Sequence, residues 1–160
     1  MSGFKAILIQ PEGGAKDVTV LSFAGTDSIL DGLVDLDQAT GGLPAQYVQA
    51  LSRTRSLSSQ HPNLYLTGHS LGGGLAAWSS VNTRLPASTI NPAPLVGAMT
   101  LSSLGANSQI TNYIGGSAEF VSSSPGRNPG RDVQVPGSGN FFTRHMVANV
   151  DPSVPLPTKI

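Results

Sequence analysis

Leu64-Tyr65-Leu66-Thr67-Gly68-His69-Ser70-Leu71-Gly72-Gly73-Gly74-Leu75-Ala76 decides how this chain is read. An aliphatic and aromatic run leads straight into Gly-x-Ser-x-Gly, and small, apolar residues follow at once. The pattern predicts a strand, a sharp turn and a helix, the setting in which this motif forms a nucleophile elbow. In such a turn the central residue stands clear of the sheet with its hydroxyl exposed. Gly68 and Gly72 flank it because a Cβ at either place would collide with the neighbouring strand or helix. Ser70 is therefore the candidate nucleophile. The competing reading is a glycine-rich turn that only packs a helix closely on a strand. The apolar run before the motif and Gly-Gly-Leu-Ala-Ala-Trp at its end favour the elbow.

Outward from the elbow, the pattern alternates between strand and helix. Phe4 to Gln10 and Asp17 to Phe23 are β-type runs separated by Pro11-Glu12-Gly13-Gly14, which predicts an antiparallel hairpin. A helix is expected from Pro44 as its first helical residue, through Tyr47, Val48, Leu51 and Leu57. After the elbow helix, Ala87 to Asn91 reads as a strand that Pro92-Ala93-Pro94 breaks, with a short helix or turn from Val96 to Leu101. Gln109 to Ile114 is a further strand, and Val133-Gln134-Val135 a short one within a Gly-, Ser- and Pro-rich region. The tail from Phe141 to Val150 has an apolar helical start after His145. The fold class expected is α/β and α/β-hydrolase-like: a mostly parallel sheet, an antiparallel N-terminal hairpin, and helices on both faces, all within one domain over residues 1–160.

The 160 residues suffice for one core that buries roughly two-thirds of the unfolded surface. Charged residues make up 11% and apolar ones 39%, too apolar for disorder and too poor in charge for an ion-pair-laced bundle. Nine basic residues balance nine acidic ones with no basic stripe, which excludes nucleic acid as a partner. The absence of cysteine excludes a disulfide framework, a thiolate metal site and a cysteine nucleophile. The N-terminal apolar run is too short for a secretory signal, and no stretch approaches a membrane span, so the expectation is a soluble chain.

A serine hydroxyl needs a base to take its proton and a carboxylate to orient that base. The chain has three histidines. His69 lies beside the nucleophile in sequence and is expected to pack next to the elbow. His61 precedes the elbow strand, at the opposite end from the site. In a hydrolase of this architecture the order is Ser, then acid, then His, which selects His145 as base. Glu119 and Asp132 are the carboxylates between Ser70 and His145. Glu119 follows a strand at the sheet edge where catalytic groups gather, whereas Asp132 sits in an arginine-containing turn. Glu119 is preferred, Asp132 stays open, and Asp151 is a third choice. Two donors must face the developing oxyanion: the Leu71 N–H at the helix start, and Thr26 in the loop Gly25-Thr26-Asp27-Ser28. A plain capped turn is the competing reading of that loop.

Together these residues resemble the class 3 lipase family, the fungal-type triacylglycerol lipases and their bacterial relatives. Val20-Leu21-Ser22-Phe23-Ala24-Gly25-Thr26 is similar to the family's apolar strand and Phe-Arg-Gly-Thr. Gly68 to Gly73 matches its Gly-His-Ser-Leu-Gly-Gly, and Asn91-Pro92-Ala93-Pro94-Leu95-Val96-Gly97 resembles its Asn-x-Pro-Arg-Val-Gly. Glu119 to Gly126 and His145 fit the layout of its acid and base. The chain departs from the family at Ala24 and Leu95, where arginines are usual, at Glu119, where aspartate is usual, and in its short length. The resemblance implies a Ser70–His145–Glu119 triad with Thr26 and Leu71 at the oxyanion, acting on acyl esters. It also places the family's lid at residues 29–42, where Leu30, Leu33, Val34 and Leu36 form an apolar flap or, equally, ordinary core packing. The expected activity is ester hydrolysis of lipase type on small-molecule or lipid esters, with no metal or cofactor and with transient contact at a lipid interface. A phospholipase-type effector and a non-catalytic module that keeps the fold are the alternatives. Apolar surface left uncovered by the short chain implies self-association.

Overall fold

The computed structural model describes residues 3–10, 12, 18–25, 43–104, 109–116, 119–140 and 143–150. Six strands form one sheet in the order β1-β2-β3-β4-β5-β6, with β1 (Ala6–Ile9), β2 (Thr19–Phe23), β3 (Leu64–His69), β4 (Ala87–Ile90), β5 (Ile110–Gly115) and β6 (Arg131–Val135). β1 runs antiparallel to β2, in register Ala6 with Phe23 and Ile9 with Val20, and every later pair is parallel. This is the α/β-hydrolase-like arrangement expected from the alternation of strand and helix patterns, except that the described helices pack into one core on one face of the sheet rather than on both faces. The expected lid segment, 29–42, lies outside the described residues.

The strand order explains where the helices sit. From β2 onward each strand is laid beside its predecessor, so every crossover steps in the same direction. Right-handed crossovers taken repeatedly in one direction deliver their helices to one face. Burial agrees. Leu21, Leu66, Ala87 and Ile110 are directly in register across four strands, and each is at most 1% exposed. Above this row packs α2 (Leu71–Thr83), and α1 (Ala45–Ser58) packs on α2 within the same core. Fully burying each such leucine or isoleucine contributes about 1.5–3 kcal/mol. The alternate residues Val20, Ser22, Tyr65, Thr67, Ser88 and Ile90 are half-buried, and Tyr65 Oη and Ser88 Oγ share a hydrogen bond of 2.8 Å.

α1 turns Tyr47, Ala50, Thr54 and Leu57 inward, a helical stripe in which Thr54 Oγ1 donates to the Ala50 carbonyl at 2.8 Å. Val48, grouped with these from sequence, faces solvent. Pro44 is the N-cap rather than the first helical residue: its ψ of 143° is extended, while its carbonyl already accepts from Tyr47 N and Val48 N. The short helix expected after β4 is α3 (Ala98–Ser102). The tail differs from expectation. It forms two short 3-10 turns, Thr143–His145 and Val147–Asn149, joined to the preceding chain by a bridge between Gly137 and Val150.

Candidate active site

Each candidate group follows the C-terminal end of a strand, the edge at which open α/β sheets bind ligands. Ser70 is the single residue between the end of β3 and the start of α2, and its φ of 57° and ψ of −127° are those of a sharp elbow. A non-glycine residue held there stores of order 1–3 kcal/mol of strain. The neighbours over-determine it. Ser70 N donates to the Ile90 carbonyl at 3.2 Å, and the Ser70 carbonyl accepts from Ala93 N at 2.9 Å and Gly74 N at 3.1 Å. The flanking glycines are required by contact: a Cβ on Gly68 would overlap the Gly72 carbonyl, and one on Gly72 would overlap the Phe23 carbonyl. The sharp turn thus lets α2 start directly against β2 and β3.

Ser70 is more enclosed than a freely projecting hydroxyl, at 7% exposure. The chain leaving β2 closes on it, since a Cβ built on Gly25 would lie 3.6 Å from Ser70 Cβ and 3.9 Å from Gly72 N. Thr26, the next residue, lies outside the described residues. Leu71 opens α2, so its N–H belongs to the first turn, whose amides have no intrahelical acceptor and carry the positive end of the helix dipole.

His145 ends the first 3-10 turn and is buried. Its Nδ1 meets Glu119 Oε1 at 2.6 Å, with Glu119 fully enclosed. Glu119 also accepts from Val121 N at Oε1 (2.9 Å) and from Ser122 N at Oε2 (2.7 Å). Burial pushes the Glu119 carboxyl up, but the bonds from His145 and from the Ser122 and Val121 amides outweigh it and hold the carboxyl below the usual glutamate range. The group is therefore a carboxylate at neutral pH, and Nδ1–H of His145 is the donor to it. That leaves Nε2 of His145, a buried nitrogen with no hydrogen-bond partner among the described residues.

The structure brings Glu119, and not Asp132, to the imidazole. Asp132 lies on β6, where its Oδ1 accepts from Asn112 Nδ2 at 2.9 Å. Asn112 in turn bonds Pro129 O and Thr89 Oγ1, a polar bracket that joins β4, β5 and β6. Asp151 lies outside the described residues. His61 is half-buried at the far edge of the sheet, 3.3 Å from Thr19 Oγ1. His69 does more than pack beside the elbow. Its ring lies 4.6 Å from that of His145, and its Nε2 reaches the His145 backbone carbonyl at 2.6 Å. Asn91 was not singled out from sequence. It is fully buried at φ 42°, and its amide bonds Gly115 N, Arg144 O and His145 O. The signals for it are its place at the end of a strand, just before a proline, and at the head of the stretch that resembles Asn-x-Pro-Arg-Val-Gly. Among the described residues no group of three or more His, Asp or Glu side chains is placed to hold a metal ion, and no helix is long and apolar enough to cross a membrane.

The carboxylate–imidazole pair and the serine in its elbow are the kinds of group that acyl transfer uses, and Nε2 of His145 makes no hydrogen bond to Ser70. Comparison with known proteins bears on the part of the chain that carries the elbow. The sequence model of a phospholipase-like family, the Tle-like phospholipase domain, matches residues 1–115. The chain belongs to the Tle-like phospholipase domain family. The match takes in the elbow and Gly25, and it ends before Glu119 and His145. Over 87 residues the chain is also 44% identical to an extracellular phospholipase A1 of Serratia liquefaciens, which covers 54% of this chain and 27% of that protein. The chain thus spans about a quarter of that relative's length. The Tle-like domain is a lipase/phospholipase family, so the broad kinship expected from Gly68 to Gly73 holds at that level.

Proposed function

We propose that this chain is a serine carboxylic ester hydrolase that cleaves acyl esters of phospholipids. The buried Glu119–His145 pair, tied through the His145 carbonyl to the residue beside the elbow serine, carries the reading. Membership of the Tle-like phospholipase domain family and the likeness to a phospholipase A1 support a phospholipid as the substrate and an acyl ester as the bond. The likeness of residues 20–26 and 68–73 to class 3 lipases supports the same chemistry on neutral acylglycerols as a second reading.

In this reading Ser70 Oγ attacks the ester carbonyl as its proton passes to Nε2 of His145. Glu119 holds the ring by Nδ1–H and stabilises the imidazolium that forms. The oxyanion is met by the Leu71 N–H and by Thr26 beyond Gly25, each donor worth about 10²–10³ in turnover. Collapse of the tetrahedral intermediate expels the glycerol alcohol, which takes the proton from Nε2. Water, deprotonated by the same nitrogen, then releases the fatty acid and restores Ser70.

The test is release of fatty acid from phosphatidylcholine vesicles, from a triacylglycerol emulsion and from a soluble p-nitrophenyl ester, with wild type beside Ser70→Ala. We expect the serine variant to lose about 10³-fold or more on every substrate that is cleaved. Equal rates for the two proteins would overturn the hydrolase reading. Preference for the triacylglycerol would select the lipase alternative, and release of headgroup without fatty acid would exclude the acyl ester.

A further inference from the structure

His145 sits in a segment built from two three-residue turns, outside the sheet. Such a segment does not by itself hold an imidazole to the tolerance that proton transfer demands. A displacement of about 1 Å costs up to 10²-fold in rate. Glu119 fixes the ring by its side chain, but the backbone from which the ring hangs must also be registered to the nucleophile.

Two side chains converge on that backbone. Asn91 Nδ2 donates to the carbonyls of Arg144 and His145, each at 3.1 Å, while Asn91 Oδ1 accepts from Gly115 N at 2.8 Å. One buried amide therefore joins the end of β4, the end of β5 and the histidine turn. Its φ of 42° is one that asparagine tolerates better than most residues, and it turns the side chain off the strand line. His69 Nε2 reaches the same His145 carbonyl at 2.6 Å. A carbonyl only accepts, so the proton must reside on His69 Nε2. Both anchors come from strands that also hold the elbow: His69 is the last residue of β3, and Ile90, just before Asn91, receives the Ser70 N–H.

We propose that His69 and Asn91 are positioning residues that clamp the His145 carbonyl and so register the imidazole to Ser70. This rests on the ester hydrolase reading of the site. His69 does not touch the reacting atoms in this scheme. It acts through the backbone of His145, and its ring, 4.6 Å away, also limits the directions in which the His145 ring tilts.

The clamp is tested with His69→Phe, which keeps a flat ring but lacks the donor, and His69→Gln, whose terminal amide reaches roughly where Nε2 lies. Asn91→Gly is the third variant: it keeps the positive φ and deletes the amide. On the soluble ester, His69→Phe and Asn91→Gly should lose about 10- to 100-fold in kcat with KM within about twofold, while His69→Gln stays within about threefold of wild type. The Nδ1 proton shared by His145 and Glu119 supplies a readout that needs no turnover. Its low-field proton resonance should be sharp in wild type and His69→Gln and broadened in the other two. Wild-type kcat in His69→Phe, or equal impairment of His69→Gln and His69→Phe, would overturn the clamp while leaving an inactive Ser70→Ala, and hence the hydrolase reading, intact. If Ser70→Ala instead matched wild type, the hydrolase reading would fall and the resonance alone would decide whether the clamp exists. Circular dichroism separates a variant that fails to fold, in which case the remaining histidine or asparagine variant carries the decision.

Discussion

At the residue scale, two carboxylates competed for one imidazole, and their surroundings separate them. Glu119 is sealed, accepts two backbone amides and meets Nδ1 of His145, while Asp132 is exposed on β6 and serves Asn112. Glu119→Gln removes the charge that stabilises the imidazolium but keeps the shape, so we expect a loss of about 10³–10⁴-fold in kcat. Asp132→Ala should leave kcat within about twofold and cost about 1 kcal/mol of stability for the bond lost to Asn112. Ester turnover and urea denaturation of the two variants, run together, check both statements. A large kcat loss in Asp132→Ala with none in Glu119→Gln would reverse the assignment. Glu119 was legible in the sequence because chain order and strand ends restrict where an acid can stand. His69 and Asn91 were not, because the contact of His69 with His145 spans 76 positions, and nothing local in Gly-His-Ser marks a partner so distant.

At the element scale, α2 shows how contact overrides propensity. Three consecutive glycines, Gly72 to Gly74, would each cost a helix interior up to about 1 kcal/mol relative to alanine. They are kept because the helix must approach strand backbone and Pro92-Ala93 too closely for side chains: a Cβ on Gly73 would lie 2.9 Å from Pro92 Cα, and one on Gly74 2.7 Å from Tyr47 Oη. The sequence motif carried this helix despite its composition. The 3-10 turns around His145 left no such trace, since three residues are too few to show a period. The contact of α1 with Gly74 leaves the Tyr47 hydroxyl buried with no hydrogen-bond partner among the described residues, and burial raises its pKa far above the tyrosine range. An unmet buried hydroxyl costs about 1–3 kcal/mol. Tyr47→Phe removes the hydroxyl and little else, so it should raise stability by about 1 kcal/mol with unchanged turnover. A fall in the urea midpoint would mean that the hydroxyl has a partner after all.

At the scale of the whole molecule, the strands were legible from alternation with turn residues, but their sequential order was not, and that order directs α1 and α2 to one face where helices on both were expected. That order brings Gly25, Ser70, Asn91 and Glu119 to the same edge, and it buries titratable groups there. Burial of His69 and the hydrogen bonds to Glu119 make global stability depend on pH. His69 titrates ordinarily near 6.5, and desolvation, with the nearby His145 ring, lowers it, while its bond to the His145 carbonyl and the charge of Glu119 oppose the shift without cancelling it. Below about pH 6.5 the unfolded chain therefore binds a proton that folded His69 refuses, and stability falls as pH falls toward the lowered value. Glu119, also lowered, acts with the same sign from its ordinary 4.5 downward, since the folded carboxylate resists a proton that the unfolded one accepts. Urea midpoints measured from pH 8 to pH 4 should thus decline with acid, first through the histidine window and then through the carboxylate one. His69→Gln cannot take up the first proton, so its curve should be flatter than wild type as pH falls below about 6.5. Parallel curves throughout would show that His69 titrates alike in the folded and unfolded chains, and that the ring beside His145 is less enclosed than its packing indicates.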